Sequence, residues 1–308
     1  MLMEDRVLNL ESIGELAPSP ALYGVLGHPV AHSLSPGFQT AGFAALDRDA
    51  QYVKIDAAPE NLPAVVAKMK ELGFAGWNVT VPLKNHMHAL CDELDEQATL
   101  FGAVNTVLHS DGQLLGFNTD GIGWDEAIRE DFHVDVGDLR ILILGAGGGA
   151  GRALSKYAAL QHCERLVLVN RTPGKAEELA AELRPVFASD KLEGPHDRCT
   201  ARPLEPEIIE EELATCDLLV NATSVGLKPT DPPLLPSGVL APHLLVYDTI
   251  YRPARTRLLR DAEARGARVA NGLSMLLHQG AAAFSIWTGQ EAPLAAMRER
   301  LMADARAA

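Results

Sequence analysis

The feature that most constrains this chain is a glycine cluster placed directly behind an apolar run. Arg140-Ile141-Leu142-Ile143-Leu144 is short and aliphatic. Runs of this kind are strands buried on both faces of a parallel sheet. Gly145-Ala146-Gly147-Gly148-Gly149-Ala150 follows, fits G-x-G-x-x-G/A, and leads into an alanine-rich stretch of helical character. A strand that turns through glycines into a helix leaves free N–H donors and partial positive charge at the turn, and the missing side chains let a pyrophosphate approach. The bland alternative is a tight turn with no ligand. The strand before and the helix after favour the ligand, so Gly145, Ala146, Gly147, Gly148 and Gly149 are the candidates for cofactor binding.

Apolar runs recur downstream at 165–170, 217–221, 245–248 and 268–270, separated by helical segments. This βαβα alternation predicts a parallel, doubly wound α/β sheet. Upstream, strands are expected at 22–26, 51–55 and 76–81, with helices at 36–46, 62–72 and 83–94. Segments 104–109 and 114–118 flank Asp111-Gly112, a hairpin signal. Two helices, 274–288 and 293–307, close the chain. Residues 1–20 read as a loosely attached lead-in and 187–206 as an irregular surface loop. With 308 residues, two domains are favoured over one.

A net charge of −14 disfavours non-specific binding to nucleic acid or anionic lipid, so an anionic ligand needs local basic or backbone groups. Cys91, Cys163, Cys199 and Cys216 form no C-x-x-C pair and are expected to be buried free thiols in a reducing compartment. Charged residues stand where a signal peptide needs its apolar stretch, and no run is long enough to span a bilayer. A cytoplasmic protein is expected. His86-Met87-His88 suggests a metal site, but positions two apart on a helix do not share a face, so no metal is expected. The oligomeric state is not encoded in these patterns, and a homodimer stays open.

The end of the second downstream strand selects the cofactor. Asn170-Arg171-Thr172 stands there, with Lys175 one turn on and no acid to hold ribose hydroxyls. Arginine can stack on adenine and pair with a 2′-phosphate, and a lysine adds a second cation. NADP is therefore expected rather than NAD. The plain alternative is two solvated cations opening a helix.

Further polar residues cluster at strand ends in the first half. Ser33-Leu34-Ser35-Pro36 opens a helix. Ser35 as N-cap with Pro36 in the first helical position is ordinary helix-start chemistry, yet two hydroxyls at a helix N-terminus also make a carboxylate cradle. Local chemistry leaves both readings open. In Asn78-Val79-Thr80-Val81-Pro82-Leu83-Lys84, alternation puts Asn78 and Thr80 on one face. Lys84 starts a helix against the dipole, which hints at function. Asn105 and Asp120 stand at two more polar strand ends. Asp120 either caps a helix or pairs with a lysine in acid–base work.

Taken together, these segments resemble shikimate dehydrogenase over nearly the whole chain after about residue 20. The match rests on 32–36, 78–84, 102–106, 116–120, 145–150, 170–172, 221–226, 247–253 and 271–280, in shared order and spacing. The resemblance implies reversible, NADPH-dependent reduction of 3-dehydroshikimate to shikimate in the chorismate pathway. By it, Ser33 and Ser35 bind the carboxylate, and Asn78, Thr80, Asn105, Tyr251 and Gln279 line the ring site. Lys84 and Asp120 stand beside the reacting hydroxyl, and Thr223, Gly272 and Met275 lie towards the nicotinamide. It also implies an α/β substrate domain, 21–120 completed by 274–308, and an inserted Rossmann NADP-binding domain, 121–273.

Three segments, four residues in all, depart from the family pattern. Gln39-Thr40 replaces a frequent His-Asn, Leu227 a frequent Met, and Lys175 a frequent Arg. The first is expected to be structural, and none removes a catalytic candidate. Two alternatives remain: an NAD-dependent quinate/shikimate dehydrogenase, and a non-catalytic NADP-binding sensor.

Overall fold

The computed structural model describes residues 6–16, 21–188 and 198–307. The chain divides into two compact units, Met1–Thr119 with Leu276–Ala308, and Asp120–Met275.

In the first unit the order is β1 (Val7–Leu8), β2 (Leu22–Gly27), α1 (Ser35–Ala45), β3 (Gln51–Asp56), α2 (Leu62–Glu71), β4 (Phe74–Val79), α3 (Lys84–His88), β5 (Glu93–Leu94), α4 (Glu96–Phe101), β6 (Thr106–Ser110) and β7 (Gln113–Phe117). These strands form one mixed sheet in the order β1-β3-β2-β4-β6-β7-β5. β2 pairs parallel with β3 and β4, while β4, β6 and β7 run antiparallel in turn. The β6–β7 hairpin closes through Asp111 (φ 52°) and Gly112 (φ 78°). Two left-handed residues match the twist of the flanking strands, and Asp-Gly supplies them at low cost.

The second unit begins with α5 (Asp120–Phe132). It continues through β8 (Arg140–Leu144), α6 (Gly149–Leu160), β9 (Arg165–Val169), α7 (Pro173–Phe187), β10 (Cys199–Arg202), α8 (Pro206–Leu213), β11 (Leu218–Asn221), β12 (Leu245–Asp248), α9 (Arg257–Ala264) and β13 (Arg268–Asn271). Its six strands are all parallel, in the order β10-β9-β8-β11-β12-β13. That is the 3-2-1-4-5-6 arrangement of a Rossmann sheet, with the order reversing at β8. Ile141, Leu142 and Ile143 are all fully buried, as a strand covered on both faces requires. α10 (Leu273–Thr288) and α11 (Leu294–Ala307) end the chain.

The first sheet packs on α1 and α10 through a ladder of rings. Tyr23 stacks on Phe43 at 4.6 Å, Phe43 meets Phe284 at 4.8 Å, and Trp287 donates its indole N–H to the Val107 carbonyl at 2.8 Å. Gln39 is fully buried and its amide donates to the Gly280 carbonyl at 2.9 Å. The departure at this position therefore joins α1 to α10, a structural role.

Four local expectations need correction. Residues 6–16 are not loosely attached: β1 pairs with β3, and Leu8 and Ile13 belong to the core. Residues 17–20 and 189–197 lie outside the described residues. Part of the expected loop at 187–206 is the edge strand β10, and Phe187 is the last residue of α7. The sequence reads as loop there because a four-residue edge strand is decided by pairing, not by its own pattern. The helix expected at 83–94 stops at His88, and Glu93–Leu94 pairs with β7 as β5. Ser35 is the first residue of α1 rather than its N-cap, which is Leu34.

Cys163, Cys199 and Cys216 are buried and Cys91 is half-buried, and all four are free. Burial pushes the Cys91, Cys199 and Cys216 thiols up to about 12 and raises Cys163 as well. Thiols so placed stay protonated and unreactive near neutral pH. Among the described residues no helix is long and apolar enough to cross a membrane, and no cluster of metal-ligating side chains occurs.

Because Leu8 is 1% exposed, Leu8→Ala is expected to lower unfolding free energy by about 2–3 kcal/mol. A urea titration with a change under about 0.5 kcal/mol, typical of surface sites, would return residues 6–16 to the status of a loose tail.

Candidate active site

The C-terminal ends of β2, β3 and β4 carry the polar groups of the first unit. Asn78, next to last in β4, is 5% exposed. Its Oδ1 accepts from the Tyr52 hydroxyl at 2.7 Å, and its Nδ2 donates to Thr106 Oγ1 at 3.1 Å and to the Asn105 carbonyl at 3.3 Å. Asn105 is buried as deeply. Its Oδ1 accepts from the Thr119 N–H at 2.9 Å and from Thr106 Oγ1 at 2.9 Å. Its Nδ2 donates to Thr119 Oγ1 at 3.0 Å and reaches Gln279 Oε1 at 3.5 Å. The Thr119 hydroxyl donates to the Gln279 carbonyl at 3.0 Å. One lattice of amides and hydroxyls thus joins β3, β4, β6, residue 119 and α10. Buried amides without such partners would be strongly unfavourable, so each fixes the others.

Two loops meet beside this lattice. Thr80 N–H donates to the Leu26 carbonyl at 2.8 Å, and His28 N–H donates to the Val81 carbonyl at 3.1 Å. A Cβ on Gly27 would fall 2.5 Å from the Thr80 methyl, so only glycine fits. Lys84 opens α3, and its carbonyl accepts from the Val104 N–H at 3.0 Å. Fully buried Leu83 and Met87 hold this short helix down and leave Lys84 half-buried. Ser33 Oγ accepts from the Ser35 N–H at 3.3 Å, so Ser33 supplies the helix-start contact expected of Ser35. The Tyr52 hydroxyl proton is committed to Asn78. Burial raises the Tyr52 phenol well above its ordinary range. Asp120 is 7% exposed and begins α5 directly after Thr119.

The second unit holds a cleft of about 360 Å³ at the C-terminal ends of β8, β9 and β11. Gly145, Gly147, Gly148, Asn170, Arg171, Thr172, Lys175 and Thr223 line it. Gly145 has φ +84°, and a Cβ on Gly147 would fall 2.7 Å from the Lys175 Cβ. Gly147 N–H donates to Asn170 Oδ1 at 3.3 Å, and Asn170 Nδ2 donates to the Thr172 carbonyl at 3.0 Å. Asn170 therefore ties the glycine turn to the segment bearing the two cations. Neither Arg171 nor Lys175 has an ion-pair partner among the described residues, and the first turn of α7 holds no acid. Ala146 faces the interior, fully buried, and Gly149 opens α6 outside the lining. The close approach of helix to strand falls on Gly151, where a Cβ would lie 2.2 Å from the Gly145 carbonyl oxygen. The residues present suit a dinucleotide with an extra phosphate: a turn without side chains for the pyrophosphate and free cations beyond it.

A second lattice holds the far wall. Asp248 is fully buried at the end of β12. Its Oδ1 accepts from Asn221 Nδ2 and from the Ile250 N–H, both at 3.0 Å, and its Oδ2 accepts from the Thr256 hydroxyl at 2.6 Å. Asn221 Oδ1 in turn accepts from the Thr223 hydroxyl at 2.7 Å. Burial raises the Asp248 carboxyl, opposed by these donors. Tyr251 is half-buried, and burial raises its phenol too. A Cβ on Gly272 would lie 2.1 Å from the Thr249 carbonyl oxygen, and Met275 is half-buried on α10.

Tyr52, Thr106, Asp248 and Thr256 organise these sites and were not singled out in the sequence. The signal at β3 was readable: Gln51-Tyr52-Val53-Lys54-Ile55-Asp56 alternates, with Tyr52, Lys54 and Asp56 opposite two buried aliphatics.

The sequence matches the family described as the shikimate dehydrogenase substrate binding domain over residues 25–107, and the shikimate 5′-dehydrogenase C-terminal domain over residues 272–302. It is 44% identical to the shikimate dehydrogenase (NADP(+)) of Methanopyrus kandleri, across 92% of this chain and 95% of that protein. The fold is similar to a crystal structure of a shikimate dehydrogenase in complex with NADP+ (TM-score 0.83, 37% identity, 92% of this chain and 95% of that one). It is also similar to the shikimate 5-dehydrogenase of Thermus thermophilus in complex with NADP(H) and shikimate (TM-score 0.79, 37% identity, 92% and 99%).

Tyr52→Phe strands the buried Asn78 Oδ1 without its phenolic donor. A loss of about 1–3 kcal/mol in denaturant unfolding is expected. No measurable loss would mean the Asn78 carboxamide does not need Tyr52.

Proposed function

This chain belongs to the shikimate dehydrogenase family, and from that premise we infer that it reduces 3-dehydroshikimate reversibly to shikimate with NADPH. The observation that supports this reading best is the glycine-lined cleft facing Arg171 and Lys175, in a chain whose relative is named for the NADP-dependent reaction over nine-tenths of its length.

NADPH supplies the hydride, which adds to the ring carbonyl carbon. Negative charge then develops on the carbonyl oxygen. Lys84, as an ammonium, stabilises that charge and delivers the proton, and in the reverse direction its amine removes the hydroxyl proton. Asp120 accepts a hydrogen bond from the hydroxyl and orients the lysine. Ser33 and Ser35 hold the carboxylate. Asn78, Thr80, Asn105, Tyr251 and Gln279 bind the ring and its other hydroxyls. Gly145, Gly147 and Gly148 bind the pyrophosphate, with Ala146 and Gly149 shaping the turn. Asn170, Arg171, Thr172 and Lys175 hold the adenosine 2′-phosphate. Thr223, Gly272 and Met275 border the nicotinamide. The ligands are small molecules, and the reduced thiols fit a cytoplasmic enzyme of aromatic amino-acid biosynthesis.

Lys84→Ala is expected to lower kcat about 10²–10⁴-fold while KM for shikimate changes far less. A variant with near-normal kcat would remove Lys84 from the chemistry. Arg171→Ala combined with Lys175→Ala should raise KM for NADP by about tenfold or more, the scale of losing a charge-assisted phosphate contact, and leave KM for NAD nearly where it was. An equal change for both cofactors would refute the 2′-phosphate assignment. Nicotinamide absorbance with shikimate or quinate, each with NADP or NAD, separates the family's activities. Quinate turnover with NAD exceeding shikimate turnover with NADP would replace the reading, and binding of NADP without turnover on either acid would make the protein a sensor.

A further inference from the structure

Lys54 has no part in the scheme above, yet it lies where lysines seldom lie. It stands near the end of β3 with 9% of its surface exposed. Its Nζ donates to the Ala31 carbonyl at 2.9 Å. No carboxylate among the described residues forms an ion pair with it. Asp56, the acid nearest along the strand, is engaged by His28 at 2.7 Å. An ammonium withdrawn from water against one neutral carbonyl is an unfavourable arrangement unless an anion completes it.

The pleat of β3 puts Tyr52, Lys54 and Asp56 on one face. Two of them reach the segment that leads into α1: Lys54 meets Ala31, and Asp56 meets His28, while Tyr52 turns to Asn78. The ammonium is thus anchored at Ala31, directly ahead of the segment that carries both serines. Ser33 follows Ala31 by two residues, at most about 7 Å of extended chain. Both serine hydroxyls are neutral, so neither supplies charge to an anion. A chain of net charge −14 offers no favourable overall field to an anion.

We propose that Lys54 is the cation that neutralises the substrate carboxylate at the Ser33–Ser35 cradle, which makes it a specificity residue for small ring acids over their uncharged analogues. This rests on the carboxylate placement given under the proposed function. A charge-assisted bond is roughly twice as strong as a neutral one, so the preference for acid over ester is concentrated in one side chain.

The test compares Kd for shikimate and for its methyl ester, each by calorimetry with NADP present, in wild type, Lys54→Gln and Lys54→Arg. Glutamine can still donate to the Ala31 carbonyl but carries no charge. Wild type is expected to prefer the acid by about tenfold or more, the scale of one hydrogen bond to a charged group. Lys54→Gln should lose most of that preference by weakening acid binding alone, and Lys54→Arg should keep it. In turnover, the loss in Lys54→Gln should appear in KM for shikimate rather than in kcat. Equal weakening of acid and ester in Lys54→Gln would show a purely structural role and overturn the proposal. An unchanged preference in that variant would do the same. If the variants do not fold, the wild-type ratio still decides: equal affinity for acid and ester means no cation faces the carboxylate. Absence of shikimate turnover by wild type with either cofactor would instead sink the functional reading, and it is read from a separate assay.

Discussion

Asn105 has 2% of its surface exposed, and its carboxamide bonds its neighbour Thr106 and two distant stretches of chain, at Thr119 and Gln279. A buried amide has no water to fall back on, so every partner must be in place before the group can be buried. Through Thr106 and Asn78 it reaches β4 and Tyr52 on β3, and through Thr119 and Gln279 it reaches α10. The polar end of the first sheet is therefore set as one object.

The second unit solves a similar problem with a carboxylate. Asp248 is surrounded by donors from β11, from the segment after β12 and from Thr256 ahead of α9. The buried carboxyl group is accommodated because each oxygen is bonded, and through Asn221 the same network fixes Thr223 at the cleft wall. The opposite wall has two cations that no acid among the described residues neutralises. One wall is thus internally satisfied and the other is left open, which is the charge pattern a phosphate-bearing ligand requires.

Much of this was legible in the order of residue types. The glycine turn, the parallel strands of the second unit and the Asp111-Gly112 hairpin follow from local rules, because a buried parallel strand must be apolar throughout and a two-residue hairpin must tolerate left-handed backbone. Short edge strands were not legible. Val7–Leu8, Glu93–Leu94 and Cys199–Arg202 carry too few residues for a period to show, and pairing with β3, β7 and β9 creates them. The helix begins at Ser35, one residue ahead of the start its pattern suggests, because serine suits both the cap and the first turn.

Sequence alone settled which chemical groups this protein possesses: a cradle without side chains, an arginine and a lysine beyond it, and hydroxyls, amides, a lysine and an aspartate at strand ends. Those follow from residue type and from neighbours within a few positions. Tertiary structure alone decided which of these groups meet. Tyr52 bonds Asn78 across 26 residues, Gln39 bonds Gly280 across 241, and the Lys54 ammonium settles against Ala31. No local rule reaches that far, because such contacts form only when distant segments are brought together by burial of the core and must then satisfy one another's polar atoms.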